Sequence, residues 1–205
     1  MLHREAAAET ALGAAGVPVT IRWRPFQLDP TIPPEGKSRQ DYLRQKFGSD
    51  ERIRQLYDNV SNVGAKDGID FAFDRITVSP NTLDAHRLIR WTGAAGVQEQ
   101  VVEALFRAYF LDGRNIGDHA VLADIAAAAG MDRETVAARL ASEEDRAVVR
   151  QEIEAAQQMG VSGVPTFVIA SRYALVGAQP AEQLAAALRD VAAQMSGTEA
   201  NVAAS

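Results

Sequence analysis

The sequence predicts an α/β protein in which strands near both ends of the chain flank a long all-helical middle. Residues 17–23 alternate between apolar and polar side chains, as in a strand with one buried face. Residues 166–176 contain two short apolar runs around a tight turn, which is the pattern of a β-hairpin. Residues 38–147 repeat helix starts and apolar residues at helical spacing. The middle is therefore a helical insertion in a strand-containing core.

The N-terminal part is predicted to form a helix, a strand and then a loop. The helix runs from Leu2 to about Leu12, an alanine-rich stretch that a glycine ends. The strand at residues 17–23 follows it. Four prolines in the segment after Arg24 preclude a helix and predict an extended loop.

Helix starts in the middle of the chain are predicted from small polar residues that precede apolar runs. These N-cap residues are Ser38, Ser49 or Asp50, Asn81 or Thr82, Asp118, Asp132 and Ser142. The helix that begins near Ser49 or Asp50 extends to about Ala65 and places apolar residues on one face. That face contains Ile53, Leu56, Tyr57 and Val60.

The C-terminal part is predicted to be a hairpin followed by a helix. Strand residues Thr166–Ala170 meet Tyr173–Val176 through a turn at Ser171–Arg172. Pro180 opens the last helix, because a proline at a helix start loses no hydrogen bond. The small polar residues of the tail, 196–205, predict disorder.

Composition excludes several classes of function. A net charge of −6 and a pI near 5.1 argue against a nucleic-acid-binding protein, which usually has a basic face. No apolar run approaches the roughly 18 residues that span a bilayer, and the first residues do not resemble a signal peptide, so we expect a cytoplasmic protein without membrane partners. The chain has no cysteine. By itself it forms no disulfide, no thiolate metal site and no cysteine nucleophile.

No motif of the sequence predicts a metal site, a resident cofactor or a catalytic side chain. The histidines fall in separate predicted elements, without the spacing of a zinc site. They are His3, His86 and His119. Ser162 lacks the strand and helix context of a nucleophile elbow. A strand, not a helix, follows Gly163, which excludes a phosphate-binding loop there.

The most informative stretch is Val164–Pro165, which glycine precedes and which leads directly into the strand at Thr166. Proline cannot donate a hydrogen bond to a sheet, so in this position it marks the start of a strand. An ordinary trans proline would serve equally well there, and the residues alone leave the isomer open.

Residues 159–167, Met-Gly-Val-Ser-Gly-Val-Pro-Thr-Phe, resemble the cis-proline region of thioredoxin-fold proteins. The likeness is greatest to the DsbA-like family, which includes FrnE-type oxidoreductases and 2-hydroxychromene-2-carboxylate isomerases. Residues 23–28, Trp-Arg-Pro-Phe-Gln-Leu, resemble the segment that follows the second core strand of this family. The resemblance extends from the first predicted helix to the last.

The resemblance implies a thioredoxin-like fold with a large inserted helical subdomain. The core would consist of residues 1–30 and 148–195, and the insertion of residues 38–147. The first strand of the family's core would lie before Met1. Without it, the strands at residues 17–23 and 166–169 lose the ladder that joins them and have open edges. We therefore expect either a truncated product of a longer reading frame or a strand recruited from a partner chain.

The resemblance also implies where a substrate binds. In the family, the backbone beside the proline, here Val164 and Pro165, holds an extended substrate by strand-like hydrogen bonds. The stretch that matches Asn81, Thr82 and His86 lines the cleft. The alternative from the residues is that Asn81 and Thr82 only cap a helix.

The expected function is that of a DsbA-like thiol–disulfide oxidoreductase by ancestry, inactive in dithiol exchange as given because the chain has no cysteine. One alternative is a glutathione-dependent isomerase or kappa-type transferase, in which the same proline region binds glutathione. Another is a non-catalytic module that binds peptides or dimerises. The expected partners are a peptide or thiol substrate and a second copy of the chain.

Overall fold

The computed structural model describes residues 13–14 and 16–202, with side chains through residue 196. The described residues form two compact units. Residues 22–160 form a helical unit. Residues 13–14, 16–21 and 161–202 form a smaller unit, which we call the hairpin unit. The predicted helix at Leu2–Leu12 lies outside the described residues.

Seven α-helices and two short strands build the helical unit in the described part of the chain. The helices are α1 (Arg39–Phe47), α2 (Asp50–Ala65), α3 (Leu83–Ala95), α4 (Gln98–Phe110), α5 (His119–Ala128), α6 (Arg133–Ala141) and α7 (Arg146–Gln158). The strands β1 (Lys37–Ser38) and β2 (Val78–Ser79) pair antiparallel, and a 3₁₀ turn spans Phe73–Arg75.

Four of the predicted N-caps are confirmed. In each case the side-chain oxygen accepts a hydrogen bond from a backbone N–H in the first turn of the helix. The four residues are Ser38, Ser49, Asp118 and Asp132. These bonds satisfy N–H groups that have no partner within the helix, which is why the sequence located these helix starts closely.

The core of the helical unit lies between helices α3, α4, α5 and α6. Its centre consists of aliphatic side chains that are almost completely buried. They include Leu88, Val101, Leu122, Val136 and Leu140. Full burial of each such side chain contributes about 1.5–3 kcal/mol, so this core is the main stabilising element of the unit.

Helix α7 belongs to the helical unit, whereas the sequence assigns residues 148–195 to the strand-containing core. Val149 and Ile153 are buried against Leu83 of α3. Helical periodicity in a sequence does not indicate which neighbour an apolar stripe packs against.

Helix α7 begins at Arg146, so the predicted cap at Ser142 is wrong. The Ser142 hydroxyl instead donates to the Arg139 carbonyl at 2.8 Å, and Ser142 ends α6. Asp145 precedes α7 with a left-handed backbone, at a φ of 59°. A serine near the junction of two helices can close the first as well as open the second.

A buried arginine joins α3 to the end of α6. Arg87 is completely buried, and its guanidinium donates to Asp84 Oδ1 at 2.9 Å. Its other N–H groups donate to four backbone carbonyls at 2.7–3.1 Å, those of Arg139, Leu140, Ser142 and Glu144. All five donors of the guanidinium are thereby used.

Asp84 connects this arginine to two further helices. Its Oδ2 lies 2.7 Å from His119 Nε2 and accepts from Arg146 at 3.0 Å. Burial raises the pKa of Asp84, but hydrogen bonds from His119 and Arg87 and the charge of Arg146 outweigh it, so the pKa lies below its ordinary value. The carboxylate is charged at neutral pH and links α3, α5 and α7.

The predicted strand at residues 17–23 does not form. The segment has no regular secondary structure and pairs with no strand among the described residues. At Trp23 a side chain replaces the strand partner: Gln98 Oε1 accepts from the Trp23 N–H at 2.9 Å, and Gln98 Nε2 donates to the Trp23 carbonyl at 3.4 Å. An alternation of apolar and polar side chains predicts that one side of the segment is buried. A β-strand also requires hydrogen bonds to the backbone of a neighbouring strand, and the alternation does not show whether such a strand is present.

The hairpin unit contains strands β3 (Thr166–Ile169) and β4 (Tyr173–Val176) and helix α8 (Ala181–Val202). The predicted hairpin is confirmed, but β3 ends at Ile169, one residue earlier than predicted, and the turn comprises residues 170–172. Ala170 and Ser171 in this turn have φ values of 52° and 57°. Apolar residues on one face of the hairpin pack on α8. They are Phe167 and Leu175, which contact Leu184 and Ala185.

Helix α8 continues into the segment for which the sequence predicts a disordered tail. The helix ends at Val202, beyond Ser196. The Ser196 hydroxyl donates to the Ala192 carbonyl at 3.1 Å, so a small polar residue continues the helix here. Neither this helix nor any other in the described residues is long and apolar enough to cross a membrane.

Candidate functional site

The hairpin unit places the Val164–Pro165 turn immediately before β3. The peptide bond between the two residues is cis, and both are half-buried. The Thr166 hydroxyl donates to the Gly163 carbonyl at 2.9 Å and closes the turn. The Pro165 carbonyl accepts from the Gly177 N–H at 2.8 Å. Pairing between the two sides of the hairpin therefore begins at the proline.

The outer edge of β3, opposite β4, has unpaired backbone groups. In an antiparallel pair, residues that exchange hydrogen bonds alternate with residues that do not. Because Pro165 bonds to Gly177, the next residue of β3 that bonds to β4 is Phe167. The N–H and C=O groups of Thr166 and Val168 consequently point away from β4. No strand pairs with this edge in the described part of the chain.

One face of the hairpin is open and uncharged. Since Phe167 and Leu175 face α8, the alternation of side chains places Val168 and Val176 on the opposite face. These two valines are 59% and 63% exposed. Neither β3 nor β4 contains a charged residue, although charges usually protect an edge strand from pairing. This edge and face offer backbone pairing and apolar contact together.

Asn81 holds the proline-rich loop of residues 25–34 against the start of α3. Its Nδ2 donates to the Ile32 carbonyl at 2.6 Å, and its Oδ1 accepts from Gln27 Nε2 at 3.1 Å. The same Oδ1 accepts from the Leu83 N–H at 2.9 Å. Thr82 is the N-cap residue, but its side chain makes no capping hydrogen bond. Asn81 therefore caps the helix and anchors the loop at once.

His86 anchors the same loop one turn further along α3. Its Nε2 lies 3.0 Å from the Phe26 carbonyl. Burial lowers the pKa of His86 to about 4, and the hydrogen bond to Phe26 offsets this only in part. The ring is neutral at pH 7, so Nε2 carries the proton and donates it to the carbonyl oxygen.

The structure brings three of the predicted site residues together. Asn81, Thr82 and His86 share the first turns of α3 in the helical unit, whereas Val164 and Pro165 belong to the hairpin unit. Sequence analysis did not single out the outward backbone groups of Thr166 and Val168. The sequence feature that could have indicated them is the run of four uncharged residues directly after Pro165. Such a run is unusual for the exposed edge of a sheet.

Titratable side chains do not assemble into a reactive centre in the part of the chain that the structure describes. No three histidine, aspartate or glutamate residues there are placed to hold a metal ion. The densest cluster, around Asp84, consists of hydrogen bonds and ion pairs between helices.

Comparison with known proteins identifies the family. A sequence model of the DSBA-like thioredoxin domain matches residues 3–189, nearly the whole chain. The chain belongs to the DsbA-like thioredoxin domain family. The resemblance and the fold class predicted from the sequence are thus confirmed, and the fold is a helix-rich α/β thioredoxin fold.

Two known proteins are similar to this DsbA-like chain. The crystal structure of a probable DsbA oxidoreductase, SCO1869 from Streptomyces coelicolor, is similar with a TM-score of 0.81 and 33% sequence identity. The match covers 92% of this chain and 83% of that one. The uncharacterized protein YwbO of Bacillus subtilis is 24% identical over 155 residues, which are 75% of this chain and 74% of the relative.

Proposed function

We propose that this DsbA-like chain binds an extended peptide along the outer edge of β3 and performs no dithiol exchange with its own side chains. The observation that carries the proposal is the outward direction of the Thr166 and Val168 backbone groups on an uncharged strand. A peptide recognised in this way adds one strand to the sheet. Val164 and Pro165 lie at the start of that edge and form the end of the proposed site.

Backbone pairing alone is too weak to give useful affinity. The two outward residues can exchange up to four hydrogen bonds with a peptide, each contributing about 0.5–1.5 kcal/mol net. Association costs about 4–15 kcal/mol, which offsets this gain. The remaining free energy has to come from side chains, and Val168 supplies exposed apolar surface beside the edge.

The geometry also specifies the side chains of the peptide. Peptide residues directly opposite Thr166 and Val168 place their side chains on the open face of the hairpin. There they contact the side chains of Thr166 and Val168, so β-branched or aromatic residues are favoured at every second position. We propose an uncharged peptide with this alternation as the ligand class.

Two different roles are proposed for the predicted site residues at the start of α3, which are Asn81, Thr82 and His86. Asn81 and His86 use their polar atoms to hold the proline-rich loop. Their proposed role is to fix the shape of this loop, while the half-buried Thr82 stays a candidate for direct contact with a ligand.

An insulin-reduction assay tests the chemical part of the proposal. The purified chain is expected to give no turnover above the background of the reductant, because the sequence has no thiol to attack a disulfide. Circular dichroism on the same sample verifies that the protein is folded. Catalysed reduction by the folded chain would overturn this part of the proposal.

Peptides with methylated backbone nitrogens test the binding part. The probe is a fluorescein-labelled peptide in which valine and serine alternate over seven residues, with a lysine tail for solubility. When the peptide lies antiparallel to β3 with its valines opposite Thr166 and Val168, the valine N–H groups point at β3. N-methylation of the valines is therefore expected to weaken binding at least tenfold, and N-methylation of the serines less than threefold, in fluorescence anisotropy.

Two protein variants complete this test. Val168→Lys puts a charge on the open face directly beside the peptide and should weaken binding of the unmethylated peptide at least tenfold. Met195→Lys, at a residue of α8 that is 45% exposed, is the matched control and should have no effect. Equal binding of both methylated peptides would contradict strand addition. Saturable binding of glutathione without peptide binding would instead favour the isomerase or transferase alternative.

A further inference from the structure

We infer that the outer face of helix α2 is a docking surface for an amphipathic helix of another protein with acidic residues along one edge. Three apolar side chains on α2 are exposed to solvent: Leu56 by 37%, Val60 by 45% and Val63 by 50%. Their spacing of four and three residues aligns them in one stripe about 10 Å long. We call these three residues the α2 seam. This inference does not depend on the proposed peptide site.

The seam is the uncovered half of a wider apolar face. The covered half contains Tyr57, which stacks on Phe73 with ring centres 4.3 Å apart. It also contains Gly64, where an added Cβ would lie only 2.5 Å from Phe71. The remainder of the helical unit thus covers one side of the face and leaves the seam exposed. The spacing of the seam matches the a and d positions of a helix-pairing interface.

Positive charge borders the seam on its open side. Arg52, Asn59 and Lys66 are seven residues apart, so they lie along one edge of the stripe. In the part of the chain that the structure describes, neither Arg52 nor Lys66 makes an ion pair. The acidic residues within α2 lie roughly 100° or more around the helix axis from the seam. They are Asp50, Glu51 and Asp58.

This distribution of charge disfavours a second copy as the occupant. In an antiparallel pair of α2 helices, like edges meet, which brings Arg52 of one chain close to Lys66 of the other. A parallel pair requires the opposite edge, and Phe71 and Phe73 already cover it. A helix with an apolar stripe and acidic residues along one edge can pack against the α2 seam and also form ion pairs with Arg52 and Lys66. The partner is therefore a different helix with that pattern.

Two designed peptides test the inference. Each has three heptads with leucine at the a and d positions, and the e and g positions are all glutamate in one peptide and all lysine in the other. At low salt the labelled glutamate peptide should bind saturably, although weakly because the seam is short, and the lysine peptide at least tenfold more weakly. Val60→Asp should reduce binding of the glutamate peptide at least tenfold.

Reversing the charges beside the seam distinguishes specific docking from non-specific hydrophobic binding. The double variant Arg52→Glu, Lys66→Glu should reverse the preference and bind the lysine peptide more tightly. Arg54→Glu, at an exposed arginine that pairs with Glu51 away from the seam, is the matched control and should retain the original preference. Equal binding of both peptides would overturn the inference. So would a dimer in sedimentation experiments that Val60→Asp dissociates, because a second copy would then occupy the seam.

Discussion

Replacing Arg87 by methionine is expected to lower the free energy of unfolding by about 4 kcal/mol, since breaking a buried charge network typically costs 3–5 kcal/mol. Arg87 has no exposed surface, and every N–H of its guanidinium donates a hydrogen bond. Methionine fills similar space but leaves four backbone carbonyls and Asp84 without this partner. Total stabilities of globular proteins are about 5–15 kcal/mol, so the variant is expected to be marginally folded.

Urea denaturation followed by circular dichroism measures this effect. The matched control is Arg90→Met, one turn along the same helix, because Arg90 is partly exposed and pairs with Glu152 and Asp145 near the surface. That change should cost less than about 1 kcal/mol. Similar losses in both variants would show that the carbonyl contacts of Arg87 contribute little, and would contradict the prediction.

Local chemistry explains which parts of the fold were predictable. A cap such as Ser49 or Asp132 identifies a helix start because its oxygen satisfies N–H groups only a few residues away. The hairpin is equally local, since its two strands are adjacent in the sequence. Each of these features is complete within about ten residues, so sequence alone contains the whole interaction.

Long-range pairing explains what the sequence did not predict. Residues 17–23 have the alternation of a strand, yet Trp23 pairs with a side chain 75 residues away. Nothing in the local sequence distinguishes Arg87 from an exposed arginine on the surface of α3. It is buried because the end of α6 packs against it. A helix or strand pattern shows which residues of one segment are apolar or polar. It does not show which distant residues they contact, because those contacts depend on tertiary packing.

The candidate site was predictable in part for the same reason. Val164 and Pro165 stand out locally, and the resemblance placed them at the start of a strand. Which groups of that strand point outward depends on its register with β4, and Gly177 fixes that register. Asn81 and His86 are close in the sequence, but their contacts with the proline-rich loop depend on the folded chain.

Acidification from pH 6.5 to pH 4 is expected to destabilise the protein through His86 by up to about 3 kcal/mol. Its pKa is about 4 in the folded chain and 6.5 ordinarily. Between these values the unfolded chain binds a proton that the folded chain rejects, so stability falls as the pH falls. Above pH 6.5 neither state binds the proton and the stability is fully present. Protonation would also place a charge in a buried site beside the Phe26 carbonyl.

His86→Gln isolates this contribution. A glutamine amide can donate to Phe26 as Nε2 does, but it does not titrate, so the variant should show a flatter dependence of unfolding free energy on pH between 4 and 6.5. The lowered pKa of Asp84 removes stability mainly below about pH 3.8, the ordinary value for the unfolded chain, and it does so in both proteins, so the difference between the two profiles reports His86. Urea titrations at pH 4.5, 5.5, 6.5 and 7.5 compare the two proteins. Parallel pH profiles would contradict the prediction. They would mean that His86 has a similar pKa in the folded and unfolded chains, and that the loop of residues 25–34 does not exclude solvent from it.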